Sequence, residues 1–277
     1  MSGRSNVLQR DIFLGTGSGN GMKPTERFSN RADDYRRYRP GYPVGVIDLL
    51  RDTCGLETEA SVADIGSGTG IFTKLLLEAG FDVAAVEPNG PMRLAAEQDL
   101  RHFHRFHSIA AAAEQTGLPD ASFDAITVAQ AIHWFNPEAA RQEFQRLLRS
   151  DGWVFIIRNE RRIDASPFAC DYEDLLRTLG EPYETVAHRD QAAGTRRRQE
   201  FFPAGSLRAA LFDNPHTMDW PGLRGRFLSA SYAPAKGDAR HEEYLGRLEL
   251  LFNKHAVNSR VTFDQQTEVH YGKLGNR

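Results

Sequence analysis

A chain of 277 residues with 40% hydrophobic and 26% charged side chains has the make-up of a globular enzyme with room for a sizeable core. Its net charge of −3 and pI near 6.3 exclude a general polyanion binder, because affinity for phosphate backbones rests on excess Lys and Arg. No apolar run reaches the roughly 18 residues of a membrane span; Arg10 and Asp11 interrupt any export signal, and Cys54 and Cys170 make no disulfide framework, so a reduced, cytoplasmic setting is expected.

Residues 1–24 read as a flexible tail. Gly15 to Gly21 is glycine-rich, but Lys23-Pro24 follows it where a helix would be needed. Order is expected from Phe28, with Pro40 and Pro43 forcing a break before a helix over 44–53. From there strands at 61–65, 81–86, 105–109, 123–129 and 152–158 alternate with helices near 70–79, 91–101 and 137–149. The strands are almost continuously apolar, as strands buried on both faces are. This is the pattern of an α/β, doubly wound, mainly parallel sheet. Past Arg158 the regularity ends. Residues 161–227 hold a helix at 172–179, a basic stretch and a strand-like piece at 211–220. Residues 228–277 supply an amphipathic helix at 242–255 and one half-buried strand at 261–271.

The densest signal is Val62-Ala63-Asp64-Ile65-Gly66-Ser67-Gly68-Thr69-Gly70, followed by a helix, a second strand and then Glu87. Glycines after a strand let the backbone turn sharply and bring a ligand against the N–H groups that open the next helix. Glu87 stands 23 residues past Asp64 (87 minus 64), where a carboxylate accepts hydrogen bonds from both hydroxyls of a ribose. A dinucleotide fingerprint needs glycine at 71, which is Ile71. The Asp64 charge, moreover, repels a pyrophosphate and suits a ligand bearing an ammonium and a sulfonium.

Further along, Pro88 and Met92 lie in the loop and helix that follow the acid, with Met92 a candidate for an adenine face. Ala113 and Glu114 follow the third strand, and Gln130, His133 and Trp134 follow the fourth. Open α/β sheets bind ligands at the carboxyl ends of their strands, so Gln130 and His133 are expected to face the ligand's reactive end.

The D-x-G-x-G-x-G turn resembles the first motif of class I S-adenosylmethionine-dependent methyltransferases. Phe28 to Pro43, Ala129 to Trp134 and Thr267 to Gly272 look like the trans-aconitate-methyltransferase-like group of small-molecule enzymes. The resemblance implies a seven-stranded sheet whose last strand runs antiparallel, a core with N-terminal lid over 25–160, and a substrate lid over 161–227. It implies S-adenosylmethionine as cofactor, held by Tyr35, Arg39, Asp64, Gly66, Ser67, Gly68, Gly70, Glu87, Pro88, Met92, Ala113, Glu114 and Gln130. The acceptor is expected to be a small molecule near Tyr38, Trp134 and Arg158, with His133 or Glu160 as the base where one is needed. No metal, nucleic acid or membrane partner is expected, and the assembly is a monomer or homodimer. Two other readings stand beside this one: a methyltransferase-fold enzyme that binds the cofactor but catalyses cyclisation or rearrangement, and an NAD-dependent oxidoreductase.

Overall fold

The computed structural model describes residues 37–180, 183–184 and 201–275. The expected tail, Tyr35 and the basic stretch at 196–198 lie outside the described residues. Five strands run as the alternation foretells: β1 Ser61–Ile65, β2 Asp82–Val86, β3 Phe106–Ile109, β4 Phe123–Ala129 and β5 Leu148–Arg161. Between them lie α1 Gly45–Asp48, continued by a π-helical turn Leu49–Thr53, then α2 Ile71–Glu78, α3 Gly90–Leu100 and α4 Pro137–Leu147. The chain goes on through α5 Pro167–Arg177, β6 Arg208–Asp213, β7 His216–Met218, α6 Trp220–Leu228, α7 His241–His255, β8 Val261–Phe263 and β9 Gln265–Gly272.

Four helices begin on the same local chemistry. Asn89, Asn136, Ser166 and Asp219 each accept a hydrogen bond from a backbone N–H of the first turn, and a proline stands at the start of each helix. A short polar cap satisfies an orphan donor, and proline wastes none there.

The seven-stranded sheet has the order β3-β2-β1-β4-β5-β9-β6. Neighbours are parallel from β3 through β5, and β9 runs antiparallel to both β5 and β6. Alternate residues of each strand feed opposite faces. Ala63, Ile65, Ile126, Val128 and Ile156 pack with Phe144 and Leu147 of α4. Val62, Val83, Ala125, Phe155 and Ile157 pack with Leu50, Phe72 and Leu76 on the other side. The sheet is therefore covered by helices on both faces. No described helix is long and apolar enough to cross a membrane.

A separate small core joins α5, α6, α7 and the antiparallel β7–β8 pair around Tyr172, Phe227, Leu248 and Phe263. The sequence reading differs here in two ways. Residues 261–271 form two strands in different sheets, broken at Asp264, although odd positions stay buried throughout and so hide the break. The piece read as strand through 220 instead turns at Asp219 into α6, whose Pro221, Gly222 and Gly225 disguise it because proline and glycine are poor helix formers.

Candidate active site

The carboxyl ends of β1, β2, β4 and β5 open into a cavity of about 690 Å³. Strand order reverses between β1 and β4, and a crevice forms where their following loops diverge. Gly66, Ser67, Gly68 and Thr69 line one wall. Gly66 has φ of 72°, and a Cβ there would come within 2.5 Å of the Ala131 methyl, so only glycine fits. At Gly68, φ of 58°, a Cβ would meet nothing nearer than Met92 Cε at 3.5 Å; the space beyond is cavity. Gly70 is not on the wall. It lies under α3, where a Cβ would strike Leu100 at 2.7 Å, and its task is packing.

Glu87 lies on the wall at 7% exposure, its Oε2 accepting from Gly68 N–H at 2.9 Å and its Oε1 from Asn89 N–H at 2.7 Å. Burial pushes its pKa up, while those two amides and Arg93 oppose the rise. Thr69 is buried, and its hydroxyl has no partner among the described residues. A buried hydroxyl left in that state costs free energy that a ligand atom would recover.

Asp64 departs from its expected role. It is fully buried behind the turn and absent from the wall, with Oδ2 accepting from Thr73 at 2.6 Å and Oδ1 from Thr127 at 2.9 Å. Its side chain ties β1 to α2 and β4 and holds the turn from behind, away from the cavity wall. Burial pushes its pKa up to about 6. Tyr38 departs likewise: its ring lies on Gly225 of α6, where a Cβ would collide with it, and it does not line the cavity.

The other expected residues do meet at the cavity. Pro88, Met92, Ala113 and Glu114 flank the glycine turn on the β2–β3 side, and Glu114 Oε1 accepts from Asn136 N–H at 2.8 Å. Gln130 sits at φ of 57°, held there as its Nε2 donates to the Asn159 carbonyl at 3.1 Å. A non-glycine residue in that region stores strain of the kind found at functional sites. His133 and Trp134 follow on a 3-10 turn, their rings 4.7 Å apart. Arg158, buried, forms an ion pair with Glu160, and both face the cavity. Arg39 reaches the wall from the N-terminal segment, its Nε donating to Ser229 Oγ at 3.1 Å and its Nη2 to the Ser229 carbonyl at 3.3 Å.

Two further sets of residues at the cavity leave no local pattern in the chain. Asn159 Nδ2 donates to the Gly41 carbonyl at 3.1 Å, and Asn214 and Thr267 complete a knot that fastens the N-terminal segment to β5 and β9. The second set, Arg161, Glu173, Tyr183, Arg226 and Tyr232, forms the end of the cavity away from Glu87. Only Arg161 belongs to a regular sheet strand; the rest come from the segment without repeat. Among the described residues no cluster of His, Cys, Asp and Glu is arranged to hold a metal ion.

The fold is thus the Rossmann-like methyltransferase class, a seven-stranded sheet with one antiparallel strand and a glycine turn at its switch point. Residues 63–156, which hold that turn, strands β2 to β4 and parts of β1 and β5, match the profile of a family described as a methyltransferase domain. The chain is 37% identical over 138 residues to an uncharacterized methyltransferase of Mycobacterium tuberculosis, a stretch covering 48% of this chain and 52% of that one. It spans about half the length of the curated relatives it matches. Among solved structures, a candidate type II methyltransferase from Anaeromyxobacter dehalogenans superposes with a TM-score of 0.63 at 23% identity, covering 87% of this chain and all of that one. Phosphoethanolamine N-methyltransferase 2 of Haemonchus contortus, solved with phosphomonomethylethanolamine and S-adenosylhomocysteine, superposes at 0.51 with 12% identity, covering 90% of this chain and 58% of that one.

Proposed function

We propose that this chain transfers a methyl group from S-adenosylmethionine to a small-molecule acceptor in the cavity. The observation that carries the reading is the wall beside Gly68: an open glycine, the buried Glu87 carboxylate that accepts its N–H, and next to it the buried Thr69 hydroxyl, without a partner among the described residues. Each Glu87 oxygen already takes one backbone N–H and keeps a second lone pair for a ribose hydroxyl. Met92, Ala113 and Glu114 supply an apolar slot and an edge for the adenine. Gln130, Ser67 and Arg39 face the amino-acid end. The residues present fit the cofactor.

The bound cofactor supplies an electrophilic methyl on a sulfonium. In-line transfer forms a bond to the methyl carbon as the carbon–sulfur bond breaks, and positive charge disperses. Walls that align the acceptor and keep water out supply much of the acceleration. The acceptor proton, where there is one, goes to the His133 imidazole. Glu160 is the second candidate, held in its ion pair with Arg158. Arg158, Trp134 and the segment at 161–227 shape the acceptor side. The trans-aconitate-like resemblance belongs to this proposal as its finer part, supported by Arg39, Pro40 and Tyr42, which line the cavity from the N-terminal segment.

Incubation with S-adenosylmethionine and a panel of acids, phenols and amines should yield S-adenosylhomocysteine together with a product heavier by one methylene. A chain stabilised against heat by NAD, and untouched by S-adenosylmethionine, would overturn the reading.

A further inference from the structure

We propose that Arg226, with Arg161 beside it, is an anion subsite that anchors a carboxylate or phosphate of the acceptor, apart from the atom that receives the methyl group. The proposal rests on the methyl-transfer reading above and adds to it the charge and the shape of the acceptor.

Arg226 projects from α6 into the cavity wall. Its Nη1 is 2.9 Å from His216 Nδ1, its Nη2 donates to Gln265 Oε1 at 3.0 Å, and its guanidinium lies 4.7 Å over the Phe263 ring. Every one of these partners is neutral: burial holds His216 down at about 4, so its ring carries no charge at neutral pH. Among the described residues no carboxylate is paired with Arg226. Three of the five guanidinium N–H donors remain after the two bonds made.

A guanidinium taken out of water and given only neutral partners is costly, and the cost falls when an anion arrives. Burial pushes Arg226 well below the ordinary arginine range, with Arg161 and Arg39 adding repulsion. Arg161 does have a carboxylate, but a shared one. Its Nη2 reaches Glu173 Oε2 at 3.4 Å and the Tyr183 hydroxyl at 3.2 Å, while that hydroxyl donates to Glu173 at 2.7 Å. Arg177 claims the same carboxylate from the rim. Arg161 and Arg226 thus lie together with one buried carboxylate, Glu173, which Arg161 already shares with Arg177. Positive charge is left over at this end of the cavity, between the rings of Tyr172, Tyr183 and Tyr232.

The position assigns the site to the acceptor. Arg161 closes β5, three strands along the sheet from β2, which Glu87 directly follows, and Gln265 opens β9, one strand further. At about 4.8 Å per strand the arginine end lies roughly 14 to 19 Å from Glu87. An oxyanion held by guanidinium N–H groups has its lone pairs engaged and is a poor nucleophile. The acceptor thus carries two functions: an anionic handle in the arginine end and a separate atom, nearer His133, that takes the methyl.

The test is calorimetry on the full chain saturated with S-adenosylhomocysteine, using 4-hydroxybenzoate, phenyl phosphate and the uncharged methyl 4-hydroxybenzoate as probes. At least one anion should bind about tenfold or more tightly than the ester, a difference of one order in the binding constant. Preference for 4-hydroxybenzoate assigns a carboxylate handle, and preference for phenyl phosphate a phosphorylated one. Arg226→Gln should erase the preference and leave S-adenosylhomocysteine affinity unchanged; Arg226→Lys, which keeps charge without the planar fork, should retain part of it. An ester that binds as well as both anions, or a preference that survives Arg226→Gln, overturns the proposal. Should the unaltered chain fail to bind S-adenosylhomocysteine, the cofactor reading fails by itself, and the same titration without it still tests the arginine site.

Discussion

Asp64 and Glu87 are two buried carboxylates of one motif with opposite attachments, and the difference makes distinct predictions. Asp64 spends both oxygens on Thr73 and Thr127, whereas Glu87 keeps lone pairs toward the cavity. Burial raises Asp64 from 3.8 to about 6. A group whose folded pKa lies above its unfolded value contributes stability that is full below the unfolded pKa and lost as pH rises through the folded one. Between pH 3.8 and about 6, Asp64 therefore lowers stability as pH climbs. Asp64→Asn should flatten that part of the curve in urea unfolding; an unchanged slope would place the titration elsewhere. His133 makes the second prediction at this scale. His133→Ala should cut kcat by roughly a hundredfold or more for an acceptor that loses a proton, with cofactor affinity unaltered. Lost affinity with normal turnover at saturation would remove His133 from that role. Sequence spacing set Glu87 beside the glycine turn, where it lies on the cavity wall, because strand, turn and acid are local in the chain. It misjudged Asp64 because its two hydroxyl partners, one 63 residues away, leave no local trace.

The elements differ in how they declare themselves. Strands β1 to β5 are legible because burial on both faces writes unbroken apolar runs, and caps such as Asn136-Pro137 mark helix starts. α6 is not, since its helix is imposed by packing on Tyr38, Phe263 and the α7 face against local propensity. Without α6 there is no Arg226 to find. α4 shows the reverse case, a helix held by an explicit polar clasp: Glu143 accepts from the Thr116 N–H and hydroxyl at 2.8 and 2.6 Å and pairs with Arg146 at 2.7 Å. The Arg146 bond, against a smaller cost of burial, holds Glu143 down at about 2. Its contribution is thus present above the ordinary value of 4.5 and lost as pH falls through about 2, opposite in sign to Asp64. Glu143→Ala should cost about 2 kcal/mol at neutral pH, the partly open Arg146 keeping the loss below that of a fully buried pair. The same loss at neutral pH and at pH 2 in chemical denaturation would contradict the clasp.

At the scale of the molecule, a regular sheet supplies the half of the cavity beside Glu87, and described residues from after β5 supply the half beside Arg161, the halves proposed above for cofactor and acceptor. The division explains what was legible. The first half repeats a pattern shaped by strand order and one glycine turn; the second is built from side chains that meet only when α5, α6 and β9 fold together. The most direct measurement of the central claim is the affinity of the full chain for S-adenosylhomocysteine, compared with that of Glu87→Gln. Saturable binding of one molecule per chain, weakened roughly tenfold to a hundredfold by loss of the charged acceptor, is the expected result. No binding, or binding indifferent to Glu87, would contradict it.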